Sequence, residues 1–185
     1  TEPFRQWVIE DDFVSGRPAW ERKGALFVTD VAPYETMKLR LLNASHSAIA
    51  YSGYLLGHRF VDCAMDSSAV FSFVAAFLSE QGATVPSVPG VDLSGYEKTL
   101  LDRFRNPYIK DSLLRLAQDG SNKLIITMRD AALENSVAGR SVKTFAIAVA
   151  CWARFCVGSD EMGEPIDIQD PRSGELQELC QSLFG

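Results

Sequence analysis

Two histidines, His46 and His58, and four cysteines leave this 185-residue chain little with which to build a metal site. None of Cys63, Cys151, Cys156 and Cys180 forms a C-x-x-C pair. Zinc-ligand spacing is therefore missing, no metal is expected, and a reduced, cytoplasmic chain is the simpler reading. A basic excess is missing too. Lys and Arg number 18 against 24 Asp and Glu, for a formal net charge of -6, which argues against a nucleic-acid partner held by counterion displacement. The longest apolar run, Phe145 to Ala153, is nine residues, short of the about 20 that cross a bilayer as a helix, so no membrane partner is expected. The first residues, TEPFRQWVIEDD, are acidic and lack the apolar stretch of a signal peptide. The sequence contains neither G-x-G-x-x-G nor G-x-x-x-x-G-K-S/T, so both standard phosphate cradles are lacking. The chain begins at Thr1 rather than Met, which fits a piece cut from a longer protein or the ordinary removal of a Met.

What is present supports a folded domain. The chain is 46% hydrophobic and 23% charged, enough to bury a core, and its length predicts one domain. QWVI (6–9) and ALFVT (25–29) read as short strands around the turn-rich SGRPAWERKG. The rest reads as helix. Pro33 suits a first turn, Glu35 complements the positive helix end, and Gly57 suits a C-cap. A second helix is expected from Asp66 to just before Gly82. After the loop ATVPSVPGVD, Ser94 and Glu97 form a capping box opening a helix to about Arg105. Asn106-Pro107 predicts a helix ending near Gly120, and Ser121 a cap for the next. Residues 140–157, apolar almost all round, are expected at the centre of the core. Asp170-Pro171 opens the last helix. The expectation is a mainly α domain of six or seven helices behind a short β-rich N-terminal segment.

Three polar groups interrupt the first long helix: Lys38, Asn43 and His46. At about 100° per residue, Lys38 and His46 lie about 80° apart, on one side and two turns apart, and Asn43 and His46 are neighbours one turn apart. Lys38 and Asn43 are about 140° apart, so Asn43 joins that side only through a long side chain or a distorted helix. Such a trio has a chemical use. A helix N-terminus and burial both disfavour the ammonium form of a lysine, as a general base requires. An Asn amide can hold a developing alkoxide, and a His can orient a hydroxyl. The bland alternative is a solvated lysine and two satisfied structural groups. Arg115 and Lys123 flank the turn at Asp119-Gly120 and suit a polyhydroxylated or anionic ligand. Alternatively, Arg115 pairs with Asp111 at i, i+4 and Lys123 is solvent-exposed. Trp7, Trp20 and Trp152 read as core or interdomain packing, Cys151 and Cys156 as core, and His58 as surface.

FVTDVAPYETMKLRLLNASHSAIAYSGYLLG resembles the signature of the polyol-specific long-chain dehydrogenases, with K-x-x-x-x-N-x-x-H as Lys38, Asn43 and His46. QWVIEDDFVSGRPAWERKGALFV, RFRNPYIKDSLLRLAQDGSNKL and EPIDIQDPRSGEL are similar to other blocks of that family, so nearly the whole chain is covered. The resemblance implies a mannitol dehydrogenase C-terminal domain over residues 1–185, of the multi-helical kind found at the C-terminus of 6-phosphogluconate dehydrogenase. It implies a metal-independent reaction with NAD or NADP, the cofactor being bound mainly by an N-terminal Rossmann-type domain absent from this chain. By position, Lys38 would be the general base, Asn43 would stabilise the oxyanion, and His46 would bind and orient the sugar. Glu35 would pass the proton to solvent, and Arg115 and Lys123 would contact substrate. The substrate would be a polyol and its ketose, or a sugar acid. A cut domain is also expected to expose an apolar patch, around Trp7 and Trp20, where its partner sat. The other function class is a helical interaction module without chemistry, and Lys38 discriminates between the two.

Overall fold

The structure, a computed structural model, describes residues 4–184. Two three-residue strands open it, β1 (Val8–Glu10) and β2 (Leu26–Val28), paired in parallel with Ile9 opposite Phe27. β2 falls inside its predicted run, and β1 overlaps its own and extends one residue beyond it, to Glu10. A 3-10 turn, Trp20–Lys23, lies between them. Aromatic contacts hold this segment together: Trp7 stacks on Trp20 at 5.2 Å, and Phe13 packs edge-on against Trp20 and Phe27. Trp7 and Trp20 are 55% and 36% exposed, so neither belongs to the core. Trp152 packs half-buried against it.

A long rod follows: α1 (Ala32–Met37), a π-helical segment Lys38–Asn43, and α2 (Ala44–Leu55). Asp30 Oδ1 accepts the Ala32 N–H at 2.9 Å, and Pro33 and Glu35 occupy the first turn as their chemistry predicts. The rod ends where Gly57 takes φ +87°. Gly57 N–H reaches Tyr54 O and His58 N–H reaches Gly53 O, both at 3.0 Å, the paired bonds of a Schellman cap. His58 itself is half-buried, not on the open surface.

The helix predicted from Asp66 is α4 (Ser68–Gly82), and a short helix that was not expected, α3 (Val61–Asp66), precedes it. Ser67, extended at φ -69° and ψ 122°, separates them. Helix α5 (Leu93–Phe104) begins one residue before the predicted cap. Asp92 caps it by accepting the Ser94 N–H at 3.1 Å, so Ser94 is already helical. The Glu97 carboxylate lies against Gly82 of α4 instead. Asn106-Pro107 opens a turn, not a helix: Asn106 Oδ1 accepts the Tyr108 N–H at 3.0 Å and Lys110 takes φ +51°. The helix comes later, as α6 (Leu113–Ala117), capped by Ser112.

Next come α7 (Gly120–Leu124), a second π segment Ile125–Arg129, and α8 (Asp130–Val137). The N-cap of α7 is Asp119, not Ser121; Ser121 gives its N–H and hydroxyl to the Asp170 carboxylate, both at 2.8 Å. Helix α9 (Lys143–Phe155) is held at its start by Glu80, which accepts the Thr144 N–H and hydroxyl. Helix α10 (Ser173–Phe184) begins two residues beyond Pro171.

The described residues thus form ten α-helices, more than the six or seven expected, because the two π segments divide two continuous rods and α3 was not foreseen. The mainly α reading holds. The predicted centre does not. Helix α9 buries Thr144, Phe145, Ala148 and Phe155 but leaves Ile147 and Val149 38% and 44% exposed. The centre is α2, packed by α3, α4, α6, α7 and α9, with every residue buried except His46. Cys156 and Cys180 sit in a small apolar cluster with Leu176 beside α9 and α10; Cys151 is half-buried. Among the described residues no helix is long and apolar enough to cross a membrane.

Candidate active site

The π segment begins at Lys38 and ends at Asn43. The Ala44 N–H bonds to Leu39 O, five residues back, where a regular α-helix would reach four. A turn closed by i→i+5 bonds holds more residues than an α-helical turn, so residues five apart come closer around the axis. The 140° that a regular helix leaves between Lys38 and Asn43 is therefore narrowed, while the two side chains line neighbouring hollows. The distortion that the spacing demanded is present at the residues that needed it.

Lys38 is exposed and opens onto a cleft lined also by Glu35, Tyr34, Leu42, Tyr96 and Arg103. The chain alone does not bury this lysine, contrary to expectation, although Tyr96 and Arg103 of α5 line the same cleft. Glu35, one turn before it, is exposed on the same cleft. Asn43 faces an adjoining cleft of about 200 Å³ with His46, Ser47, Leu116, Lys123 and Thr127. A third, more enclosed cavity contains His46, Leu42, Asp62, Arg103, Phe104 and Asp111. Leu42 lines the first and third hollows, and His46 the second and third. The three form a connected system along one side of the rod.

His46 is the hub. Its ring tilts against Phe104 at 5.3 Å between centroids. Burial pushes its pKa down to about 4, Asp111 opposes the shift, and the charges of Arg115, Arg103 and Lys123 reinforce it. The ring is therefore neutral at neutral pH, with one nitrogen donating and the other accepting. Burial also holds the Lys123 ammonium below its ordinary range, and its Nζ donates to Leu116 O at 3.2 Å. Lys123 is thus a cleft residue, not a solvated one.

Arg115 goes the other way. Its guanidinium makes three contacts of 2.5 to 2.9 Å with Asp111 and is largely exposed. It lines none of the three hollows; the i, i+4 pair accounts for it, and its influence on the site is through charge. The residues had left Arg103 unremarked. The signal was there: Arg103 stands seven residues after buried Tyr96, on the inward stripe of α5, and it reaches both the Lys38 cleft and the His46 cavity. It also covers the ring of Phe4 at 4.1 Å.

Residues 30–183 match the mannitol dehydrogenase C-terminal domain family. The chain belongs to this family. D-mannonate oxidoreductase of Escherichia coli (strain K12) is 43% identical over 185 residues, which are 100% of this chain and 38% of that protein. Mannitol 2-dehydrogenase of Pyrenophora tritici-repentis is 39% identical, over 96% of this chain and 32% of its own length. The solved structure of Pseudomonas fluorescens mannitol 2-dehydrogenase, a ternary complex with NAD and D-mannitol, superposes with a TM-score of 0.90 at 43% identity. That superposition covers 97% of this chain and 37% of that one. The chain thus spans less than two-fifths of the length of these relatives. The match to the mannitol dehydrogenase C-terminal family begins at Asp30, so it takes in the rod, both π segments and every candidate residue. The two strands precede it.

Proposed function

We propose that the chain is the substrate-binding and catalytic domain of an NAD- or NADP-dependent polyol or sugar-acid dehydrogenase, interconverting a secondary alcohol and a ketone as between mannitol and fructose. The carrying observation is the π turn that runs from Lys38 to Asn43, followed one turn on by a neutral His46. Lys38 acts as general base without a metal. Its Nζ takes the hydroxyl proton as the carbon gives up hydride and the C–O bond becomes a carbonyl. The Asn43 amide donates to the oxygen as negative charge develops, where a fixed dipole in a water-poor cleft is most effective. His46 and Lys123 hold neighbouring hydroxyls and fix the reacting carbon near Lys38. Glu35, on the Lys38 cleft, relays the proton to solvent.

The cofactor does not fit the residues of this chain. The sequence has no glycine-rich turn for a pyrophosphate, and Gly120, which opens α7, is covered by Tyr51 and Trp152. A Rossmann-type domain of the parent protein is proposed to hold it, so that the hydride leaving the substrate carbon would be accepted by an oxidised nicotinamide outside this chain and Arg115 stays at the rim. The decisive test is NADH oxidation by the full-length parent against fructose, xylulose, fructuronate and tagaturonate, with chelator present. Lys38→Ala is expected to lower kcat by about 10²- to 10⁴-fold with an unchanged melting temperature. Activity undiminished by Lys38→Ala favours the interaction-module reading.

A further inference from the structure

The rod that carries Lys38 and Asn43 lies beside a second one of the same build. α7, the segment Ile125–Arg129 and α8 run on without a break, as α1, Lys38–Asn43 and α2 do. The two π segments touch. Asn43 and His46 on one rod and Lys123 and Thr127 on the other face a common cleft. A further hollow lies between the same rods, lined by Leu39, Arg40, Ile126, Thr127 and Asp130. Thr127 borders both hollows. The two π segments touch, yet hollows remain beside them, and among the described residues no side chain lining the Asn43 cleft joins the rods through an ion pair.

Arg40 does. It is the third residue of the Lys38–Asn43 segment, and its side chain is only 16% exposed. One guanidinium nitrogen donates to Glu134 Oε1 at 2.7 Å and the other to Glu134 Oε2 at 2.8 Å. The latter nitrogen also donates to the Thr84 carbonyl at 2.6 Å. Glu134 belongs to α8, and Thr84 follows α4. A planar fork on a carboxylate fixes direction as well as distance. The bond from Arg40 also holds the Glu134 carboxyl below its ordinary range. The clamp thus ties the segment bearing the base to the rod bearing Lys123, and neither Arg40 nor Glu134 lines the cleft between them.

We propose that the Arg40–Glu134 pair is a positioning clamp for the substrate cleft, setting the distance of the Lys38–Asn43 turn from the Lys123–Thr127 turn. This rests on the dehydrogenase reading above. The pair touches no substrate. Losing a pair whose carboxylate is half-exposed leaves most of the fold's stability in place. A shift of about 1 Å in the cleft is enough to cost about 100-fold in rate.

The test uses the full-length parent enzyme with Arg40→Gln, Arg40→Lys, Glu134→Gln, the Arg40→Gln/Glu134→Gln double variant, and Lys38→Ala as reference. Arg40→Gln and Glu134→Gln are each expected to lower kcat by about 10- to 100-fold, with melting temperature and NADH affinity nearly unchanged. The double variant is expected to be no worse than the poorer single one, since both singles break the same clamp. Arg40→Lys is not expected to rescue, because a point charge cannot replace the fork. Should Arg40→Gln misfold, half-exposed Glu134→Gln carries the same prediction. Unchanged kcat in both singles, additive losses, or rescue by lysine would each overturn the clamp. The two readings part cleanly. Lys38→Ala inactive with Arg40→Gln fully active overturns the clamp alone. Lys38→Ala active with Arg40→Gln impaired overturns the base and supports the clamp.

Discussion

Helices α2 and α9 differ in composition in one sense and in burial in the opposite one. Helix α9, KTFAIAVACWARF, contains the longest apolar run of the chain; α2, ASHSAIAYSGYL, contains three serines, a histidine and two tyrosines. Yet α2 is the buried one, and α9 turns Ile147 and Val149 outward. The difference is side-chain volume. Alanine, serine and glycine fill most of α2, so α3, α6 and α9 approach it on all sides. A Cβ on Gly53 would meet Ala64 Cβ at 2.7 Å and Leu113 Cδ1 at 3.1 Å. Two of the buried polar groups of α2 find carbonyl partners: Ser52 Oγ donates to Ala48 O at 2.7 Å within the helix, and Tyr51 Oη to Ala117 O of α6 at 3.1 Å. Hydrophobicity decides that some face of a helix is covered; smallness decides which helix is surrounded.

This contrast breaks most sharply at Gly53. Gly53→Val is expected to destabilise the chain by about 3 kcal/mol, or a fall of roughly 10 °C in melting temperature. A melt like that of the unaltered chain would show that α2 is not tightly enclosed. His46 gives a smaller, pH-dependent effect. Its folded pKa of about 4 lies below the unfolded value of about 6.5, so the native state binds fewer protons. The stability this provides is complete above pH about 6.5 and is lost as pH falls toward about 4. Thermal melts across that window should decline, and His46→Gln should flatten the decline between pH about 6.5 and about 5, where carboxylates titrate little. An equal slope in the variant would place the titration elsewhere. The least effect belongs to α9: Val149→Ser is expected to change stability by less than about 0.5 kcal/mol. A larger loss would mean that the outer face of α9 packs against something.

The rod's ends were legible because Pro33, Glu35 and Gly57 each satisfy backbone groups locally. The side shared by Lys38 and His46 followed from helical periodicity. The π turn was legible only as a condition on Asn43, since the choice between i→i+4 and i→i+5 bonding depends on what packs around the turn. Short helices such as α3, α6 and α7 carry too few residues to show a period. Asp92 displaced the Ser94 capping box because a carboxylate two residues earlier reached the same N–H groups. Arg40 had no local signal at all, as its partner Glu134 lies 94 residues away. The roles of Glu35 and Lys123 came from family resemblance rather than from the residues' own pattern.

The stacked tryptophans of the N-terminal segment have an optical consequence. Trp7 and Trp20 are partly exposed beside a parallel pair of three-residue strands, a short, lightly buried element of the kind that opens locally at low cost. Trp152, the remaining indole, is packed against the core. Emission from the two environments separates by wavelength, so the chain carries a built-in two-colour readout. The red component follows fraying of the leading strands or their covering by another surface, and the blue component follows collapse of the helical body.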